Sequence, residues 1–288
     1  MTGKKLRLLV LTHGSEKAAF IIERLLTLPG AEVKGIFIET ERSPRHYSLK
    51  EKLQRSVRYY GIGGTLSRTV SRFFVKAPVS SGPSKNSHQR LQEVADAHQV
   101  PVHFMPNYHL PESIELMRSV DADLGVVLGT NILKESVFSI PRLGSINVHQ
   151  GLTPYYRGGP PVFWELFNGE SEVGLTVHYV AAKVDTGDVI AQDRIPLVYD
   201  YAHGLNYESF IEQYREKLFA RTAELLPQAI QMIADGSVKP IPQNIELGKR
   251  YRLPVKKEKD ELRRRLRQRR GAERKVSAGT IGIENPEG

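Results

Sequence analysis

Asn147 and His149 stand two residues apart at the end of an apolar run, Ser145-Ile146-Asn147-Val148-His149, and Gly151 and Pro154 follow at once. If the run is a strand, alternation puts both polar side chains on one side and Val148 on the other. An amide placed there can donate to an oxygen that gains negative charge, and an imidazole can move a proton near neutral pH. A carboxylate that orients the ring would complete the set. The turn-rich segment Val184-Asp185-Thr186-Gly187-Asp188 offers two. A single histidine after a strand is more often structural than catalytic, so the group has weight only as a group. Other chemistries are excluded more easily. The chain has no cysteine, hence no disulfide, thiol nucleophile or thiolate metal site. It has no H-E-x-x-H, and His13, His149, His178 and His203 fall on segments without paired-ligand spacing. No G-x-S-x-G elbow is present. Metal-free, noncovalent acid–base transfer is the chemistry that these residue types support.

Such residues need a scaffold that brings strand ends together. Lys5 to Leu11, Glu32 to Glu39, Val100 to Phe104 and Leu124 to Leu128 are short apolar runs of the kind that a parallel sheet buries on both faces. Helical spacing separates them: Ala18, Ile21, Ile22, Leu25 and Leu26 after the first, then segments at 89–98 and 112–119. The alternation predicts an α/β fold with a doubly wound, Rossmann-like, mostly parallel sheet. Gly144 to Val148 is then a strand whose carboxyl end opens into the crevice where such folds place reactive groups. Gly174 to Val180 and Val189 to Pro196 add two strands, and 208–234 a long helix. The first turn, Thr12-His13-Gly14-Ser15-Glu16, lacks G-x-G-x-x-G, which demotes a nicotinamide enzyme. A helix starting there could still hold a phosphate or carboxylate at Gly14 and Ser15.

Length and charge bound the rest. At 288 residues and 40% hydrophobic content the chain can bury one sizeable core. No run approaches the ~20 apolar residues of a membrane span, and the N-terminus lacks a signal-peptide core, so a cytoplasmic protein is expected. The net charge of +9 is uneven. Residues 41–90 hold 11 Lys/Arg against 2 Asp/Glu, residues 249–275 hold 14 against 4, and the remainder is net acidic by 10. That pattern argues against a uniformly basic nucleic-acid binder and for local surfaces that meet phosphate, an acidic partner or a membrane. Residues 41–88 read as a basic insertion lying over the sheet, with helices around Leu49 to Tyr60 and Leu66 to Phe74 and a flexible Gly61-Ile62-Gly63-Gly64 between. The expected organisation is a catalytic domain over 1–240, carrying this insertion, and a basic, partly disordered extension over 241–288 that is too poor in apolar residues for a core.

The stretch "PRLGSINVHQGLTPYYRGGPPVFWELFNGESEVGLTVHYVAAKVDTGDVI" resembles the core of the 10-formyltetrahydrofolate-dependent formyltransferase family, whose members act on methionyl-tRNA, glycinamide ribonucleotide or amino sugars. The likeness is dense over about 121–196 and architectural before that. It rests on Asn-x-His after a strand, a Pro/Arg/Gly turn, a Thr-Val-His strand, and an Asp-Thr-Gly whose acid follows the histidine by 36 positions. The resemblance implies that Asn147, His149 and Asp185 are catalytic. An unprotonated amine would attack the formyl carbon, Asn147 and protonated His149 would stabilise the oxygen, and Asp185 would hold the ring and an ordered water. It implies a pterin site on the backbone of Thr130, Asn131, Ile132 and Leu133 and of Val180, Ala181, Ala182, Lys183 and Val184. Arg157 and Gly158, beside Gly159, resemble a turn next to the acceptor, where an Arg fork could grip phosphate.

Two departures bear on the acceptor. Gly151-Leu152-Thr153-Pro154 replaces the family's usual Ser-Leu-Leu-Pro and loses a hydroxyl. After the long helix, the OB-like extension of tRNA-directed members is not legible in "QNIELGKRYRLPVKKEKDELRRRLRQRR". An N-formyltransferase acting on a small, phosphate-bearing amine, foremost an amino sugar nucleotide, is the leading expectation. Charged tRNA is a disfavoured alternative acceptor. A folate-binding protein that docks on anionic lipid through its basic helices is the non-enzymatic one.

Overall fold

A computed structural model of the chain describes residues 5–41, 48–74, 85–199 and 206–280. Seven strands form one sheet in the order β3-β2-β1-β4-β5-β7-β8. They are β1 (Leu6–Thr12), β2 (Ala31–Glu39), β3 (Val102–Met105), β4 (Leu124–Leu128), β5 (Ser145–His149), β7 (Glu172–Tyr179) and β8 (Val189–Pro196). The first five are parallel, and β7 and β8 continue the sheet antiparallel. The chain winds outward from β1 to β3, then returns to β4 beside β1 and winds the other way. The crevice of such a sheet opens where the winding reverses, at the carboxyl ends of β1, β4 and β5.

Strands β1, β2 and β4 are largely buried on both faces, which is why they read as continuous apolar runs, whereas β3 at the sheet edge is only partly buried and leaves Phe104 exposed. Along β1, Leu8 and Val10 join a core beneath α1 (Glu16–Leu26), α3 (Lys85–Ala97) and α7 (Tyr207–Ala234). Leu9 and Leu11 face the opposite core, beneath α4 (Pro111–Ser119) and α5 (Glu135–Phe138). Helix α1 starts where Ser15 Oγ accepts from Ala18 N–H, capping the first turn. A third core gathers α6 (Phe163–Asn168), the first half of α7 and α8 (Lys256–Thr280).

The basic regions differ from the sequence expectation in two respects. Helix α2 (Leu49–Phe74) is kinked at Gly61, whose φ of 73° lies in the left-handed region. Its described contacts reach α8 at Lys256 and Lys259 rather than lying over the sheet. The Ser/Pro/Gly stretch after Lys76 lies largely outside the described residues. The extension was expected to hold too few apolar residues for a core, yet Leu262 and Leu266, four apart on α8, are 0% and 4% exposed against Phe210, Tyr214 and Leu166. A two-residue strand β9 (Lys249–Arg250) pairs with β6 (Tyr156–Arg157), so the chain after α7 returns to the 154–159 turn. Among the described residues no helix is long and apolar enough to cross a membrane.

Candidate active site

Strand β5 carries Asn147 and His149 to the crevice, one residue further than the sequence boundary suggested. Antiparallel β7 lies beside it with Asn147 opposite His178 and His149 opposite Thr176. The β7–β8 loop then delivers Asp185 between the two imidazoles. His149 Nδ1 lies 3.3 Å from Asp185 Oδ2, and His178 Nε2 lies 3.5 Å from Oδ1. Asn147 Nδ2 lies 3.5 Å from His178 Nε2, a long contact. Asp185 adopts φ 53°, in the left-handed region, where Asp is among the few non-glycine residues tolerated. Gly158 N–H donates to Asp185 Oδ2 at 2.8 Å and helps to hold this conformation. A β-carbon on Gly187 would collide with the Tyr179 carbonyl, which explains the glycine of Asp-Thr-Gly.

The small residues after His149 have a similar cause. His149 Nε2 donates to the Tyr156 carbonyl at 2.7 Å, the only arrangement in which that acceptor is satisfied. A β-carbon at Gly151 would stand 2.6 Å from His149 Nε2 and 2.7 Å from the Tyr156 oxygen. Glycine is therefore required for the ring to reach the turn, and the cis Thr153–Pro154 peptide carries the chain around it. Thr176 Oγ1 donates to the Gly151 carbonyl and accepts from Thr153 N–H, tying the turn to β7.

Burial sets the electrostatics. It pushes the His149 pKa below its ordinary value, against the Asp185 charge and the Tyr156 carbonyl, which favour the protonated ring. Nε2 faces the Tyr156 carbonyl and Nδ1 the Asp185 carboxylate, so both contacts favour the protonated ring while burial opposes it. For Asp185, burial acts upward, but hydrogen bonding from His178 and the charges of both imidazoles hold it down at about 2. With one ring on each side, the carboxylate stays ionised at neutral pH and is placed to stabilise whichever imidazole gains a proton.

A cavity of about 240 Å³ opens beside this group. Thr130, Asn131, Ile132 and Leu133 form one wall, Val180, Ala181, Ala182 and Val184 the other, and Asn147, His178 and Asp185 lie at its base. Of the residues assigned to the folate from sequence, Lys183 alone is not among its lining. Asn131 Nδ2 donates to Glu39 Oε2 at 2.7 Å and so pins the first wall to the end of β2. Apolar side chains, Ile132 and Leu133 on one wall and Val180, Ala181, Ala182 and Val184 on the other, with the polar Thr130, Asn131, Asn147 and Asp185 beside them, make the slot a fit for a flat heteroaromatic ring with polar edges.

Other assigned residues are placed differently. Gly14 and Ser15 lie at the end of β1 and do not line this cavity; the Ser15 hydroxyl serves as the α1 cap. Arg157 is 9% exposed, and its guanidinium donates to the carbonyls of Pro154, Ile245 and Gly248. Those bonds, with the Tyr156–Tyr251 stack at 5.1 Å, strap the turn to the chain after α7. Arg157 is spent on this brace and is not an open fork for phosphate. His178 was not assigned from the sequence. Its signal was present in the Thr176/His178 alternation on a strand that pairs with Asn147. Among the described residues no group of His, Asp and Glu is placed to hold a metal ion.

This arrangement coincides with the result of comparison with known proteins. Residues 74–222 match a family described as formyl transferase. A methionyl-tRNA formyltransferase of Bacteroides fragilis is 33% identical over 159 residues, covering 55% of this chain and 47% of that protein. One from Agathobacter rectalis is 34% identical over 191 residues, covering 64% and 59%. The chain thus spans about half the length of the curated relatives it matches. Among solved structures, glycinamide ribonucleotide transformylase 1 of Symbiobacterium toebii superposes with a TM-score of 0.54 at 18% identity over 83% of this chain and 95% of that one. A sugar N-formyltransferase of Shewanella does so at 0.50 and 12% identity, over 86% and 76%. At such identities the structural likeness speaks for the fold. With the family pattern spanning more than half of its residues, the chain belongs to the formyl transferase family.

Proposed function

We propose that the chain transfers a formyl group from 10-formyltetrahydrofolate to a primary amine. The observation that carries this reading is the placement of Asp185 between His149 and His178, beside Asn147, at a slot lined by 130–133 and by Val180, Ala181, Ala182 and Val184. Attack by an unprotonated amine forms the new C–N bond and puts negative charge on the formyl oxygen. The Asn147 amide is the donor in the slot that can meet that charge. The attacking nitrogen must then lose a proton and the departing folate nitrogen must gain one. His178 on the slot wall and His149 across Asp185 provide imidazole rings beside a fixed carboxylate for that relay. Removing one well-placed oxyanion donor commonly costs on the order of a hundredfold in rate.

For the acceptor, the leading reading is a small, phosphate-bearing amine, foremost an amino sugar on a nucleotide. It is supported by the strap and α8 occupying the space after α7. Charged initiator tRNA is the second reading, favoured by the names of the relatives from Bacteroides and Agathobacter. The test is turnover: protein, 10-formyltetrahydrofolate and either a panel of nucleotide-linked amino sugars or methionyl-tRNA, with tetrahydrofolate release followed. Release with a sugar and not with tRNA supports the first reading, the reverse the second. No release with any amine, together with no folate binding, refutes formyl transfer.

A further inference from the structure

A larger cleft, about 710 Å³, has Pro160 of the 157–160 turn in its lining and shares no lining residue with the slot. Its walls are α2, the first two turns of α7 and the segment leading into α8, with Pro160 and Phe163 at one end. Two features set its chemistry. Tyr59 and Tyr60 give it aromatic rings of the kind on which a flat ligand stacks, backed by the buried Phe163 and Tyr207. Lys52, Arg55, Arg215 and Lys259 surround them.

The acids that line the cleft offset only part of that charge. Glu208 is held by Arg263 at 2.6 Å and Glu212 by Arg215 at 3.5 Å. Lys52 and Lys259 form no ion pair among the described residues; Lys259 sits over the Tyr60 ring at 5.6 Å. Arg215 also buries its Nε without an acceptor among the described residues. A buried donor without a partner is costly, so an arriving acceptor oxygen would be favoured there. The cleft is joined to the candidate catalytic group by a short path: Pro160 is two residues from Gly158, whose N–H holds Asp185. On the other side, Glu216 next to Arg215 pairs with Lys17 in the first turn of α1.

We propose that this cleft seats the anionic handle of the acceptor, a phosphate ester joined to an aromatic ring, while the amine reaches past the 157–160 turn toward Asp185. The aromatic lining takes the ring, and Lys52, Lys259 and Arg215 take the phosphate oxygens. The inference rests on the formyl-transfer reading for its purpose and on the cleft alone for its chemistry. It also moves phosphate recognition from Arg157, which is spent on the strap, to α2, α7 and α8.

Isothermal titration calorimetry without any formyl donor tests it, using uridine 5′-diphosphate, its two halves uridine and inorganic pyrophosphate, and phosphatidylglycerol vesicles. The expected result is saturable binding of the diphosphate at least tenfold tighter than either half, weakened at least tenfold in the Lys52→Glu/Lys259→Glu double variant at unchanged Tm. Tyr59→Ala, which leaves the charge intact, should weaken the nucleotide and leave pyrophosphate unaffected. Binding of pyrophosphate as tight as that of the nucleotide overturns the inference, as does nucleotide binding indifferent to both variants. Vesicle binding in place of nucleotide binding would assign the cationic rim to a lipid surface and overturn it too. If nucleotide-linked amines are formylated while the diphosphate does not bind, this inference alone fails; if the diphosphate binds as expected and no amine is formylated, the seat stands and the formyl-transfer reading fails.

Discussion

Replacing Asp185 by Asn isolates what the carboxylate does. The amide keeps an oxygen for the Gly158 N–H, so the 157–159 turn retains its anchor. What disappears is the attraction between a carboxylate and an imidazolium whose nitrogen lies 3.3 Å away. At that separation Coulomb's law gives about 5 kcal/mol for an effective dielectric of 20 and about 1 kcal/mol in bulk water. The site lies between these limits, so about 3 kcal/mol is a central figure, or a hundredfold or more in rate if the ring must become charged in the transition state. The same loss lowers the His149 pKa further, because burial would then act with less opposition. Steady-state kcat for Asp185→Asn should therefore fall at least a hundredfold at unchanged Tm, with the KM for the formyl donor little altered. NMR titration of the His149 ring should show its midpoint displaced to lower pH. A rate loss below tenfold, or a His149 midpoint that does not move, would refute the reasoning.

Three further outcomes follow from named contacts. Gly151→Ala places a β-carbon against His149 Nε2 and the Tyr156 carbonyl, so kcat should drop tenfold or more while thermal unfolding shows a modest loss. Leu262→Ala removes a fully buried side chain that docks α8 and should cost about 2–5 kcal/mol in urea-induced unfolding. Glu165 is buried in α6, and burial, helped by the Glu170 charge, pushes its pKa up to about 7. Between its unfolded value and 7 the native state holds the extra proton, so stability falls as pH rises through that window. Glu165→Gln should thus stabilise by on the order of 3 kcal/mol at pH 8 and by little at pH 5, read from Tm at the two values.

Much of the fold was legible because its physics is local. A strand buried on both faces cannot avoid reading as an apolar run, and Leu124–Leu128 matched its boundaries for that reason; Val189–Pro196, an edge strand with alternating burial, matched through its bounding turns. The spacing of Asn147 and His149 and the acid 36 positions later were equally plain. What stayed hidden depended on distant partners. His178 gains significance from a pairing register, Asn147 opposite His178, that a single strand does not reveal. Arg157 looked like an open cation beside glycines, and nothing nearby in the chain says that its partners are carbonyls some ninety residues on. Leu262 and Leu266 were visible at helical spacing but were outweighed by fourteen basic neighbours; two buried side chains suffice to dock an otherwise solvated helix.

A structure of the protein with a nonreactive 10-formyltetrahydrofolate analogue tests the central claim most directly. The pterin-like ring should lie between 130–133 and 180–184, with the formyl oxygen facing the Asn147 amide and Asp185 still between His149 and His178. A ring bound elsewhere, or a formyl group directed away from Asn147, would contradict it.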